Sequence, residues 1–204
     1  MSPLDSKTKL LDAALRVIRA KGYTATRVED LCAEAGVTKG SFFHHFKSKD
    51  DLALAAVTLW DEMTSGLFLQ APYHLHVDPL QRLLAYVDFR KELLTGDLPD
   101  FTCFAGMMTQ EIYQTRPDIV AACERCISGH AKTLEADIHE AMTIYKVSGN
   151  WSAESLALHT QAVIQGAFIL AKAKGGAAVA ADCIDHLHRY LELLFSSVKH
   201  KPKN

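Results

Sequence analysis

An all-α fold of about nine helices follows from three observations in the 204-residue chain. Apolar residues recur one and two helical turns apart along most of its length. Ser, Thr, Asp and Pro open these stretches and Gly closes several of them, the pattern of helix caps. No stretch alternates apolar with polar residues between turn signals, so no sheet is expected. The length suits one large domain or two small ones with a buried core.

The first helix runs from about Asp5 to Lys21, with Leu11, Leu15 and Ile18 on one stripe and Gly22 as its stop. Thr26-Arg27-Val28-Glu29 reads as a capping box, Thr26 being the cap of a short second helix that Gly36 ends. A third short helix begins near Thr38. Ser48 caps a long fourth helix reaching about Leu69, and Pro72 to Val77 is a linker. Asp78-Pro79 opens the fifth, with Pro where its missing N–H matters least. "CFAGMMTQEIYQ" is the sixth. The seventh runs from Pro117 to about Lys146. Ser152 caps the eighth, which Gly175-Gly176 ends, and the ninth extends to about Lys199, followed by a frayed tail.

Composition narrows the function. No uninterrupted apolar run reaches the ~18 residues of a membrane span, and the charged N-terminus lacks a signal-peptide core, so a soluble cytoplasmic protein without membrane contact is expected. Five cysteines at irregular spacing do not form a disulfide framework. Residues 1–50 hold nine Lys/Arg against six Asp/Glu, a net of +3 inside a chain whose net charge is −2. A basic head on an acidic body suits a polyanion partner.

Two short helices joined by a glycine turn make a unit that can place one helix in the DNA major groove. Phe42 and Phe46, one turn apart on the third helix, form with Val37 the face that packs inward. The other face carries Thr38, Lys39, Ser41, Phe43, His44 and His45, groups able to donate to phosphate or read base edges. Gly40 would let the backbone approach closely, and Lys49 adds charge to the anion-favouring start of the fourth helix. Adjacent helical side chains point about 100° apart, so His44 and His45 do not clasp one metal ion.

The stretch "TRVEDLCAEAGVTKGSFFHHFKSKDDL" resembles the DNA-binding region of the TetR family of transcriptional regulators, and the resemblance covers residues 8–54. It implies an N-terminal helix-turn-helix part, residues 1–50, and a larger ligand-binding and dimerisation part, residues 51–204. It also implies a homodimer on a double-stranded DNA operator, acting as a repressor that a small organic effector releases. Position by position, Thr26 matches the family's phosphate-contacting cap. Thr38, Lys39, Gly40 and Ser41 match the base-facing start of the recognition helix, and Lys49 the phosphate-binding lysine. Phe43 departs from the pattern: it stands where tyrosine is usual, so one hydroxyl contact to phosphate is lost.

Residues 155–171 contain no Asp, Glu, Lys or Arg, so this helix must be buried on most faces. Its Ile164 and Phe168, with Leu187, Tyr190, Leu191 and Leu194 of the ninth helix, are the candidate dimer contacts. "CFAGMMTQE", from Cys103 to Glu111, resembles a stretch of a large TetR subgroup. Apolar walls with a few polar groups suit a small organic effector. The candidates are Trp60, Met63, Tyr86, Phe89, Phe104, Met107, Tyr113, His159 and Phe168.

Two other readings compete. Cys123 and Cys126, a CxxC followed by His130, could form a partial metal site or, like Cys103, a thiol switch, but no second CxxC completes a ligand set, so no metal is expected. A helical enzyme or binding module without DNA function is the other. No phosphate loop, HExxH or GxSxG occurs, so neither catalysis nor a cofactor is expected.

Overall fold

The computed structural model describes residues 5–196. Among them are ten α-helices, one 3-10 turn and no strand. The helices are α1 (Ser6–Lys21), α2 (Val28–Ala35), α3 (Lys39–His45), α4 (Lys49–Leu69), α5 (Pro79–Glu92), α6 (Leu98–Phe101), α7 (Phe104–Ile112), α8 (Pro117–Ile144), α9 (Ala153–Lys174) and α10 (Ala178–Ser196). The expected end of the last helix near Lys199, and the tail beyond it, lie outside the described residues.

Most caps act where the sequence places them. Thr38 Oγ1 accepts from the Ser41 amide, Ser48 Oγ from Asp51, Asp78 Oδ1 from Gln81 and Ser152 Oγ from Ser155. Each satisfies a first-turn N–H that has no partner in its own helix. Gly36, at φ +63°, closes α2: its amide donates to Ala33 and that of Val37 to Cys32. This Schellman pair requires a left-handed residue.

The start of α2 differs from expectation. Its cap is Arg27, whose amide donates 2.7 Å to Asp30 Oδ2. Thr26 is buried, and its hydroxyl donates 2.6 Å to the Gly22 carbonyl. Glu29, the expected partner, pairs with Lys39 instead. The seventh helix of the sequence reading, here α8, stops at Ile144 because Lys146 adopts φ +54° and Val147 closes back on Met142. α6 was not expected: four residues are too few to show a period.

The chain forms two compact units. One joins the chain up to Leu67 with Thr102–Ile127; the other joins Phe68–Phe101 with the chain from Ser128 onward. The first unit is built on Leu10, Ile18, Leu31, Phe42, Leu52, Phe104, Met108 and Ile119, all fully buried. In the second, Ala167 and Ala171 of α9 meet Ala180 of α10, small residues that allow close helix approach. Leu94, Leu98 and Phe101 pack against them, which is what α6 is for. Asp61 and Glu62 sit inside Lys49–Leu75, a segment otherwise long and apolar enough to cross a membrane. A carboxylate at mid-bilayer costs about 3 kcal/mol, and Leu52, Ala53, Ala56 and Val57 instead fill the first unit's core.

Candidate nucleic-acid interface

The period of α3 divides it as its sequence suggests. Phe42 and Phe46 are buried, while Phe43 is 57% exposed. Thr38, Lys39, Gly40 and His44 are exposed and Ser41 is half-buried. Lys39 pairs with Glu29 across the turn. A Cβ at Gly40 would meet nothing nearer than Thr38 Oγ1 at 3.7 Å, so the chain's own packing does not require glycine there. His45 turns partly inward, and its Nε2 is 2.7 Å from Ser6 Oγ at the start of α1.

Two candidates are engaged by the protein itself. Thr26 is 1% exposed. Lys49 reaches under the α1–α2 turn, where its ammonium donates to the Tyr23 and Thr26 carbonyls, each at 2.9 Å. It also stands 4.2 Å from the Tyr23 ring centre. Burial holds its pKa below the usual lysine value. The structure thus brings Thr38, Lys39, Gly40, Ser41, Phe43 and His44 together on one open face and sets Thr26 and Lys49 beneath it.

The same turn is gripped from α7. Glu111 accepts from the Tyr23 amide at 2.6 Å and the Thr24 amide at 2.7 Å. Gly22, at φ +92°, leaves room for it: a Cβ there would lie 3.1 Å from Glu111 Oε2. Burial raises the Glu111 pKa, but the two amides and Lys49 outweigh it, and the carboxyl ends below its ordinary value. Arg116 bridges to Asp50 at 2.9 Å, and Asp50 also accepts from the Tyr23 hydroxyl. Tyr23, Asp50 and Arg116 were absent from the sequence candidates, and Glu111 entered only as part of a motif. Their partners lie 27 to 88 positions away, beyond any local pattern.

The effector candidates divide between the units. Trp60, Met63, Phe104, Met107 and Tyr113 belong to the first; Tyr86, Phe89, His159 and Phe168 belong to the second. In the first unit Trp60 stacks on Phe104 at 6.2 Å, whereas Met63 and Tyr113 are exposed. In the second, Phe68 packs on Tyr86, Phe89 and His130 at 5.8, 5.7 and 4.3 Å, and His159 is exposed. Gln161 donates to the Tyr86 oxygen, and Tyr86 pairs with His130 Nε2, both at 2.9 Å. Burial drives the His130 pKa down to about 3, so the ring is neutral at physiological pH. Phe68, Tyr73, Arg90 and Gln161 of this cluster carried no sequence signal.

The dimer candidates differ in exposure within the single chain. Ile164, Phe168, Leu187 and Leu191 are covered by their own chain, and Leu194 is half-buried. The large apolar residues exposed on α9 are Leu158, Ile169 and Leu170; on α10 they are Tyr190 and Leu193. His159 and Tyr190 touch across the two helices, ring centres 5.3 Å apart. The charge-free run 155–171 within α9 marks it as buried but does not say which face its own domain uses.

Cys123 and Cys126 are buried in the first unit. Burial pushes the Cys123 thiol up to about 11, and burial with the nearby Asp61 raises Cys126 further. Cys103 caps α7, its sulfur accepting from the Gly106 amide at 3.3 Å. Among the described residues no cluster of three His, Cys, Asp or Glu could hold a metal ion.

Residues 10–56 match the sequence model of a family described as bacterial regulatory proteins, tetR family. The transcriptional regulator AcuR of Cereibacter sphaeroides is 27% identical over 163 residues, which cover 80% of this chain and 74% of AcuR. The regulator CymR of Pseudomonas putida is 40% identical over 62 residues, 30% of each chain. A TetR-family regulator structure from Agrobacterium tumefaciens superposes with a TM-score of 0.80 at 21% identity, covering 91% of this chain and 96% of that one. It shares the fold.

Proposed function

Because the chain belongs to the tetR family of bacterial DNA-binding regulators, we propose that it is a cytoplasmic homodimeric repressor released from its operator by a small organic effector. One observation carries the DNA-reading assignment. The outer face of α3 combines an exposed phenyl ring, paired polar groups and a glycine that its own fold does not need. Gly40 lies in the first turn of α3, where its missing side chain leaves the backbone open to a partner that comes close. Thr38, Ser41 and His44 then face base edges, Lys39 exchanges Glu29 for phosphate, and Lys49 holds the turn that positions them.

The open apolar face of α9 and α10, Leu158, Ile169, Leu170, Tyr190 and Leu193, is the surface proposed for the second copy. Two heads then read two half-sites about one DNA turn apart. Release runs through α4. Phe68 at its C-terminal end packs on Tyr86, Phe89 and His130; Lys49 and Asp50 at its start hold Tyr23. An effector that binds better to a shifted α4 draws the population away from the DNA-competent state. The thiol-responsive alternative gains no support: Cys123 and Cys126 are protonated at neutral pH, the less reactive form.

The test is fluorescence anisotropy with DNA from around the protein's own gene. Saturable, sequence-dependent binding should weaken steeply between 50 and 200 mM salt, by about 10³-fold or more if six phosphates are contacted. Binding that ignores both sequence and salt would remove the assignment.

A further inference from the structure

Among the described residues, the second unit contains a cation with no counter-charge. The Arg90 guanidinium carbon lies 5.1 Å from the Phe68 ring centre and 5.8 Å from that of Phe168. The residue is half-buried, and among the described residues no carboxylate lies within ion-pair distance of it. The neighbouring basic side chains behave otherwise: Lys91 binds Asp185 at 2.6 Å, and Arg82 binds Asp137 at 2.8 Å and Glu140. Arg90 hydrogen-bonds the neutral Tyr86 oxygen, but a guanidinium drawn partly out of water without an opposite charge is held at a cost that aromatic rings offset only in part. Rings cover the faces of a guanidinium but leave the N–H groups in its plane able to donate in pairs.

Its surroundings define what would fit. Arg90 stands one helical turn after Tyr86 on α5, and Tyr86 is hydrogen-bonded to His130 and Gln161. Burial keeps His130 neutral, with the Arg90 charge as a further cause. Tyr86, also buried, stays protonated. The cluster therefore presents one positive charge, three neutral hydrogen-bonding groups and aromatic walls from Phe68, Tyr73 and Phe168. We infer that this cluster binds a monoanionic organic acid, its carboxylate on Arg90 and its apolar body against Phe68 and Phe168. A phosphate dianion would leave one negative charge unmatched. The inference rests on the proposal that the protein answers to a small organic effector, and it names that effector's class.

Calorimetry on the full-length protein, without DNA, tests it separately from operator binding. The probes are benzoate, phenylacetate and hexanoate, each beside its primary amide and methyl ester. At least one acid should bind, with its amide and ester weaker by tenfold or more. Arg90→Gln should weaken that acid by tenfold or more, and Arg90→Lys, which keeps the charge and loses the planar fork, by less. Circular dichroism identifies a variant that fails to fold, in which case the acid-against-ester contrast in the unaltered protein decides. Equal binding of acid and neutral forms, binding by none of the three acids, or full affinity in a folded Arg90→Gln protein would overturn the inference. Failure of operator binding would instead remove the regulator assignment and leave this result standing.

Discussion

Phe43 and Lys49 show how differently single residues of one motif are used. Phe43 projects from α3 with nothing of its own chain over most of its ring. It retains the shape of the tyrosine usual in the family pattern without the hydroxyl. Phe43→Tyr should tighten operator binding about fivefold, the worth of one hydrogen bond near 1 kcal/mol, as read by anisotropy. Unchanged or weaker binding would mean that the ring does not face phosphate. Lys49 has the opposite fate: two carbonyls take its protons, so it fixes the reading head from beneath. The positions of both residues were legible in the sequence, since a cap, a turn glycine and a period of 3.6 are local. The engagement of Lys49 was not, because Tyr23 and Thr26 come to it only when α1 and α2 fold over α4.

At the scale of elements, α7 stands out as the piece that grips the head. Glu111 binds two successive amides of the α1–α2 turn. Glu111→Gln should lower stability by about 1 kcal/mol, a modest figure because the carboxylate remains partly exposed to water. The carboxyl's pKa is depressed on folding, so its contribution is present above the ordinary glutamate value of 4.5 and fades as pH falls below it. Urea unfolding should therefore show the variant and the parent converging toward pH 3. A difference constant from pH 7 to pH 3 would show that the clamp contributes nothing. Helix existence was largely readable from caps and apolar period. The single turn of α6 and the shifted start of α2 were not. The first is too short for periodicity, and in the second two acids, Glu29 and Asp30, compete for one cap.

For the molecule as a whole, acid sensitivity and assembly follow from what lies buried and what stays open. His130 is neutral in the folded protein down to about pH 3 but titrates near 6.5 once unfolded. Protons then favour the unfolded chain as pH falls below 6.5, costing about 2 kcal/mol by pH 5. His130→Gln should remove that slope between pH 7 and 5 in urea unfolding, and an identical slope in both proteins would refute the neutral assignment. Leu193 is 67% exposed beside Tyr190, on the face proposed for the second copy. Leu193→Glu should shift the protein from dimer toward monomer in sedimentation equilibrium and weaken operator binding at low protein concentration. A dimer as tight as the parent's would move the interface elsewhere.

By itself, the sequence determined the helical class, most helix limits and the inner and outer faces of α3, because these depend on neighbours within a turn or two. Its charge distribution and the run from Thr26 to Leu52 pointed to a DNA-reading head. Tertiary structure decided the rest: that Thr26 is sealed, that Glu111 and Arg116 hold the head, and that Ile164 and Leu191 are used by their own chain. It also left Arg90 among aromatic rings, with no carboxylate of the described residues paired to it. Such facts are contacts between residues tens of positions apart, and an apolar or charged side chain carries no local mark of which distant partner packing will bring to it.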